Sequence, residues 1–464
     1  MSKFKMNIAG VRFRDEGLVI EDGGALMAEG IDKLLESIIF EEDIKKKAEY
    51  AAVIWELAAE SGIYPASIHD LYKAMGRGEA AGFTVPAMNL RTLTYDTARA
   101  VFRAAGKINA AAFIFEIARS EMGYTGQCPL EYTAVSLAAA IKEGYKGCVF
   151  VQGDHFQIKL NDFQTNKEKA LSEIKKLINE AMQGGFYNID IDASTLVDLS
   201  RETLSEQQQH NCWVTSELTK CIRSQEVEGV TVSIGGEIGE VGSKNSTSED
   251  LNAFMKGYLE LLEEGYEGIS KISIQTGTTH GGVVLPDGSI AEVKVDFNTL
   301  KELSEISRKS YEMAGAVQHG ASTLPKEAFN KFPETTAAEI HLATQFQNII
   351  YDNMPQDLKT EIYDWLKENF KSDWKEDQTE EQFLYKVRKQ ALGNFKQKIH
   401  CMDKDIKRSI ASKLEEEFNF LFEQLNIKDT KEVVNRFIKP VIIKKQVKDL
   451  LPQELVDANF DGAD

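Results

Sequence analysis

The feature that most constrains this chain is an alternation. Between residues 83 and 345, short apolar runs rich in strand-forming residues alternate with stretches patterned as helices. Eight runs stand out: FTVPAMN (83–89), AAFIFEIA (111–118), CVFVQGDH (148–155), NIDIDAS (188–194), TVSIGGEIG (231–239), ISKISIQTG (269–277), AGAVQHGAS (314–322) and AEIHLATQ (338–345). Helical patterns join them at 94–105, 130–143, 167–182, 248–264 and 300–313. Ser248, followed by Glu249 and Asp250, suits a helix start and its dipole. Strands alternating with helices predict a parallel sheet. Eight units predict an α/β fold closed into a (β/α)8 TIM barrel, an architecture that typically takes about 250 residues. The rival is an open doubly wound sheet. The first run and its sequel, FTVPAMNLRT, lack the glycines of a dinucleotide fingerprint, which argues against a nicotinamide dehydrogenase.

Three regions follow. Residues 1–80 are expected as an N-terminal helical segment, with one amphipathic helix at 45–61. Residues 81–350 form the barrel. Residues 351–464 are charged, glycine-poor and helical in pattern. Leu358, Ile362, Trp365, Leu366 and Phe370 share one helical face there, as do Ile406, Ile410, Leu414, Phe418, Leu421 and Leu425. This C-terminal extension is expected to pack on the barrel or on a neighbouring subunit, with the final ANFDGAD frayed.

The net charge of -19 argues against a nucleic-acid partner, because phosphate backbones need a cationic face. Small phosphorylated ligands remain open, since backbone N–H groups at helix starts can hold them. Cysteines 128, 148, 212, 221 and 401 show no paired spacing, which points to a reduced, cytoplasmic protein. The first residues lack the apolar core of a signal peptide, and no apolar run is long enough to cross a membrane.

Of seven histidines, His155, His280, His319 and His341 fall at or near the ends of the third, sixth, seventh and eighth runs. That end of a barrel is where active sites are built. Each histidine alone is more often structural, but four at one end form a constellation. Glu237 ends the fifth run within GGEIG. Three imidazoles, from His155, His280 and His319, with Glu237 as a displaceable fourth ligand, suit Zn²⁺ or another divalent transition metal. Such an ion would polarise a carbonyl. Asp154 is the natural general base. It is adjacent to His155, though, and neighbours on an ideal strand face opposite ways, so the pair is expected where the strand has ended. Asp192 is read either as a partner to a metal-bound histidine or as a solvated strand end. Lys271, as a candidate Schiff-base lysine, falls at the start of its strand, away from the site. Glu116 is expected to pair with Arg119 or another local cation rather than line the pocket.

These motifs resemble the class II, zinc-dependent fructose-bisphosphate and tagatose-bisphosphate aldolases. FTVPAMN is similar to that family's first strand, GDH to its Asp-His element and GEIG to its metal-facing element. GTTHGG, HGAS and ATQ resemble its second histidine, its third histidine with a phosphate-binding serine, and its last phosphate element. The likeness spans residues 83–345, in order. It implies a reversible aldol cleavage of a ketose 1,6-bisphosphate, with Asp154 as base and a phosphate seat of Gly281, Gly320, Ala321, Ser322, Ala343 and Thr344. It also implies a homodimer or larger homo-oligomer and a place in carbohydrate metabolism such as glycolysis. Two departures accompany it. The loop after the fifth run, EVGSKNSTSED, lacks the family's acidic pair, leaving Glu240 as the candidate proton donor. His341 stands where the family has asparagine, as a candidate either for binding a substrate hydroxyl or for a spare supporting group behind the ligands. The long helical C-terminus is also similar to the companion subunit of tagatose-bisphosphate aldolase. A non-catalytic stabilising subunit, or an aldolase for another sugar phosphate, is therefore the alternative.

Overall fold

The computed structural model describes residues 6–14, 17–239, 244–277, 285, 294–452 and 455. The segment before the barrel is not wholly helical. An antiparallel pair, β1 (Val11–Arg14) and β2 (Gly17–Ile20), packs on the helix Ile44–Glu60, where Leu18 N–H donates to Glu56 Oε1 at 2.9 Å. A further short strand, β3 (Ile63–Ala66), follows that helix.

All eight runs of the alternation become strands: β4 (Val85–Asn89), β5 (Ile114–Ala118), β6 (Gly147–Gln157), β7 (Asn188–Asp192), β8 (Ser233–Glu237), β9 (Lys271–Ser273), β10 (Ala316–Gln318) and β11 (Glu339–Leu342). Each pairs in parallel with the next, and β11 returns to β4. The expected (β/α)8 barrel is therefore closed. β6 is longer than its neighbours. Its start, Gly147–Phe150, extends below most of its pairing with β5 and is taken up by β3.

Helices cover the strands. They include Thr94–Lys107, Pro129–Lys142, Lys167–Gln183, Leu204–Arg223, Ser248–Leu261 and Phe297–Tyr311. The start of Ser248–Leu261 is better capped than the sequence reading allowed. Thr247, one residue earlier, is the N-cap, and it exchanges hydrogen bonds with Asp250 in a full capping box.

The C-terminal region folds back on its own barrel. In the helix Lys404–Gln424, Ile410, Leu414, Phe418 and Leu421 are buried, as their spacing predicts. Phe422 stacks on Phe113 with ring centres 5.9 Å apart. Arg103 Nε and Lys107 Nζ each reach the Glu415 carboxylate at 2.6 Å. Backbone bonds from Thr84 to Leu425 and from Asp429 to Ile108 close the contact. No helix among the described residues is long and apolar enough to cross a membrane.

Candidate active site

The inside of this barrel is polar. Strand residues two apart share a face, so Gln152 and Asp154, Asp190 and Asp192, and Glu339 and His341 point the same way in pairs. The lower layer holds Lys271, which is fully buried. Its Nζ lies 2.6 Å from Glu339 Oε1, 2.9 Å from Asp190 Oδ1 and 2.7 Å from Gln152 Oε1. Tyr72 donates its hydroxyl to the other Glu339 oxygen. Burial pulls the ammonium's pKa down, but Asp190 and Glu339 outweigh it and raise it. A lysine held protonated by two carboxylates is no Schiff-base nucleophile, which needs a free amine. Lys271 does start its strand, as expected, yet it is connected to the site above through Glu339, which lies 2.7 Å from His341 Nε2.

The upper layer opens into a cavity of about 640 Å³ at the C-terminal ends of the strands. Asp154 and His155 both line it. The expectation that β6 ends there is corrected by the structure: the strand continues to Gln157. Its register with β7 shifts between Gly153 and Phe156, and His155 adopts φ 42°, in the left-handed region. This is a β-bulge. It turns two consecutive side chains toward one cavity, where a regular strand would send one away. Non-glycine residues in this region cost about 1–3 kcal/mol, and they cluster at functional sites.

Ligating atoms from His155, Glu237 and His319 lie within 4.8 Å of one another. His155 Nδ1 sits 3.2 Å from Asp192 Oδ2 and 3.3 Å from Glu237 Oε2. Asp192 is thus no solvated strand end. It is buried, and it also accepts from Gln157 Nε2 and Ser194 Oγ, each at 2.6 Å. Burial opposes its ionisation, but these bonds with His155 prevail and hold its pKa below the usual carboxylate value. Glu237 goes the other way: burial, then the charge of Asp192, pushes it up to about 7. Burial also disfavours a charged His155. Asp154, Asp192 and Glu237 overcome that and hold the ring well above the usual histidine value. His319 Nε2 shares a hydrogen bond of 2.8 Å with Ser273 Oγ, and its ring lies 4.3 Å from that of His155. Two imidazoles and a carboxylate, converging in a buried setting with an orienting carboxylate behind one ring, fit a divalent transition metal.

His341 Nδ1 faces Glu116 Oε2 at 3.0 Å and Asp154 Oδ1 at 3.2 Å. Glu116 therefore does not pair with Arg119, which reaches Gln157 O and Glu173 instead. Burial drives Glu116 up to about 8, against the pull of His341. On the far rim, Ser322 Oγ accepts from Ala343 N at 2.8 Å and Thr344 N at 3.2 Å, where the helix Thr344–Asn353 begins. Gly320, Ser322, Ala343 and Thr344 line the cavity, and Ala321 is buried beside them. Glu240, His280 and Gly281 lie outside the described residues. The sequence reading missed Arg91, Arg119 and Lys159, which also line the cavity. It also missed Glu339, although its period-2 spacing from His341 was a usable signal.

Fold and site together define a parallel β/α barrel with a candidate metal-ligating set at its mouth. The chain belongs to the class II fructose-bisphosphate aldolase family, whose model, "Fructose-bisphosphate aldolase class-II", matches residues 69–407. That family is generally metal-dependent and acts on sugar phosphates. No curated protein matches the sequence. Among solved structures, a fructose-bisphosphate aldolase from Campylobacter jejuni is 18% identical, covering 79% of this chain and 96% of that one at a TM-score of 0.47. A putative fructose-1,6-bisphosphate aldolase from Coccidioides immitis is 15% identical, covering 78% and 97% at 0.44. The fructuronate-tagaturonate epimerase UxaE from Cohnella laeviribosi is 11% identical, covering 75% and 82% at 0.53. Of these, the likeness to the epimerase, at a TM-score of 0.53, speaks for the fold, and at its identity for the fold alone.

Proposed function

We propose that this protein is a metal-dependent aldolase that reversibly cleaves a ketose 1,6-bisphosphate, of fructose or tagatose, to dihydroxyacetone phosphate and glyceraldehyde 3-phosphate. The observation that carries the reading is the convergence of His155, Glu237 and His319 beside Asp154, with the Ser322–Thr344 helix start on the same cavity. A Zn²⁺ or similar ion held by those ligands, with His280, would supply Lewis-acid polarisation of the C2 carbonyl. Asp154 takes the proton from the C4 hydroxyl. The C4 oxygen forms the new carbonyl, the C3–C4 bond breaks, and its electron pair passes into the enediolate of dihydroxyacetone phosphate. A carboxylic acid, assigned to Glu240, returns a proton to C3. Gly281, Gly320, Ser322 and Thr344 seat the C1 phosphate, with backbone N–H groups helping at the helix start. Asp192 orients His155, and His341 meets a substrate hydroxyl.

The test is metal content together with cleavage of both bisphosphates in a coupled assay, with and without chelator. Cleavage that falls with chelation and returns with Zn²⁺ supports the proposal. Cleavage by metal-free protein would refute the metal's role. Metal-loaded protein that cleaves neither sugar favours a stabilising subunit or another sugar phosphate.

A further inference from the structure

Among the described residues, three sets of ligating side chains lie in and under the barrel mouth, and the reaction above uses one of them, His155, Glu237 and His319. Another is Glu116, Glu339 and His341. Donors already fill it. Gln152 Nε2 lies 3.1 Å from Glu116 Oε2 and 2.8 Å from Glu339 Oε1, and Lys271 Nζ lies 2.6 Å from Glu339 Oε1. An ion there would meet an ammonium and an amide N–H instead of lone pairs. The remaining set is Asp154, His319 and His341, with one ligating atom of each within 4.8 Å of the others.

That set is assembled from across the barrel. His341 is in β11, and His319 follows the neighbouring β10, with the two rings 4.1 Å apart. Asp154 comes from β6, three strands round from β11 by way of β4 and β5. All three side chains are buried and line the cavity. Asp154 Oδ1 lies 3.2 Å from His341 Nδ1. Two ligands on one ion, with bonds of about 2.0–2.2 Å, stand about 3.0–3.5 Å apart, so the spacing fits. The first set has the same spacing, 3.3 Å from His155 Nδ1 to Glu237 Oε2. The His341 ring supplies a second observation. Carboxylate oxygens also stand 3.0 Å from its Nδ1, on Glu116, and 2.7 Å from its Nε2, on Glu339. Yet neither ring nitrogen has an oxygen in hydrogen-bonding line with it. A protonated ring paired with these acids would aim its N–H groups at them. A buried imidazole with oxygens close by but off its N–H axes is arranged as a ligand whose partner is an ion. Glu339, beside Nε2 and held in turn by Lys271, is placed as the carboxylate that supports a metal-bound histidine.

We propose that Asp154, His319 and His341 form a second position for a divalent transition-metal ion, beside the one made by His155, Glu237 and His319 and sharing His319 with it. One carboxylate and two imidazoles suit the same ions as the first set. The His319 ring lies 4.3 Å from that of His155 and 4.1 Å from that of His341, between the two positions. A ring nitrogen serves one ion at a time, so filling one position weakens the other. Asp154 binds through Oδ1 alone, which leaves Oδ2 for the proton it takes in the aldol step. His341 is then a metal ligand, and the ion meets the substrate hydroxyl in its place. That last role alone rests on the aldolase reading; the metal position does not.

The test reads metal binding by the full-length protein and needs no sugar. Zn²⁺ affinity is measured by competition with a chromophoric chelator, and Co²⁺ ligation by its visible absorption. Two backgrounds break the first set, Glu237→Gln and His155→Asn, each with and without His341→Asn. Each background is expected to keep a bound ion. Adding His341→Asn should then lower its affinity by more than about 100-fold, beyond the range for losing a supporting partner. In otherwise wild-type protein His341→Asn should cost less than about tenfold, because the first set is whole and the two changes are not additive. A merely structural role would cost the same in all three. Equal losses in every background, a residual ion that survives His341→Asn, or no ion bound once the first set is broken, overturn the proposal. Thermal melting of the metal-free variants checks folding, and either background alone completes the test if the other misfolds. A second metal position in a protein that cleaves neither bisphosphate leaves this inference standing and sinks the aldolase reading alone; cleavage without the second position does the reverse.

Discussion

Replacing Lys271 by Met tests the polar barrel interior directly. Met keeps the length of the aliphatic stem and deletes the ammonium. Lys271 is completely buried and contacts Glu339 at 2.6 Å, Asp190 at 2.9 Å and Gln152 at 2.7 Å. Without it, two carboxylates stay buried with a cation removed. Breaking such a pair from one side costs about 3–5 kcal/mol, because the partner's desolvation is no longer offset. Glu339 keeps Tyr72, Gln152 and His341, so the lower half of that range is expected. Adding Glu339→Gln removes one stranded charge and should recover about 1–2 kcal/mol, a coupling typical of residues in one network. Lys309→Met is the control: its pair with Glu305 is 74% and 39% exposed and should leave the unfolding midpoint nearly unchanged. The assay is urea unfolding at constant pH and metal concentration, comparing midpoints at unchanged slope. Because the Lys271 pKa is raised in the folded state, the contribution holds across neutral pH and is lost only as pH climbs past the ordinary lysine value of 10.5. A Lys271→Met variant within about 0.5 kcal/mol of wild type would show that the carboxylates are hydrated or protonated, and the reasoning would fail.

Asp154→Asn should lower turnover by about 10²- to 10⁴-fold with metal content retained, as expected on losing a general base; normal turnover removes it from the mechanism. Asp192→Asn should weaken metal affinity by about 10- to 100-fold, read by competition with a chromophoric chelator, because His155 loses its orienting carboxylate. Glu116, pushed up to about 8, keeps a proton in the folded state that the unfolded chain gives up near 4.5. Its contribution to stability therefore falls as pH rises between those values, and Glu116→Gln should flatten the melting temperature of metal-free protein over that window. Glu240→Gln should cut turnover and leave metal content intact, while unchanged turnover rules it out as proton donor.

The barrel was legible because its signal repeats: eight apolar runs alternating with helical stretches match the strand count of a closed barrel better than an open doubly wound sheet. The clustering of His155, His319 and His341 followed from the barrel, since strand ends gather at one mouth. Other features were harder to read. VRFR, GLVI and IYPA are too short to announce β1, β2 and β3, and β3 exists because β6 leaves an edge for it. Glu116 was misjudged from its sequence neighbour Arg119, whereas its partner His341 is brought in by β11, far along the chain. The polar interior was signalled, in part, by NIDID, VQGD and EIHL. Their polar residues alternate with apolar ones, and it is the apolar set that faces the helices. Cationic residues just past the strand ends carry no period, so Arg91, Arg119 and Lys159 become a group only once the ring closes.

The bulge at Asp154–His155 also ties chemistry to chain length. One extra residue in β6 sets both which groups meet in the cavity and how β6 is phased against β7 beyond it. Deleting a single residue there could still leave a closed ring, but it would turn one of the pair away from the mouth. The reaction centre is in that sense a counted feature, sensitive to how many residues span the bend as well as to which ones they are.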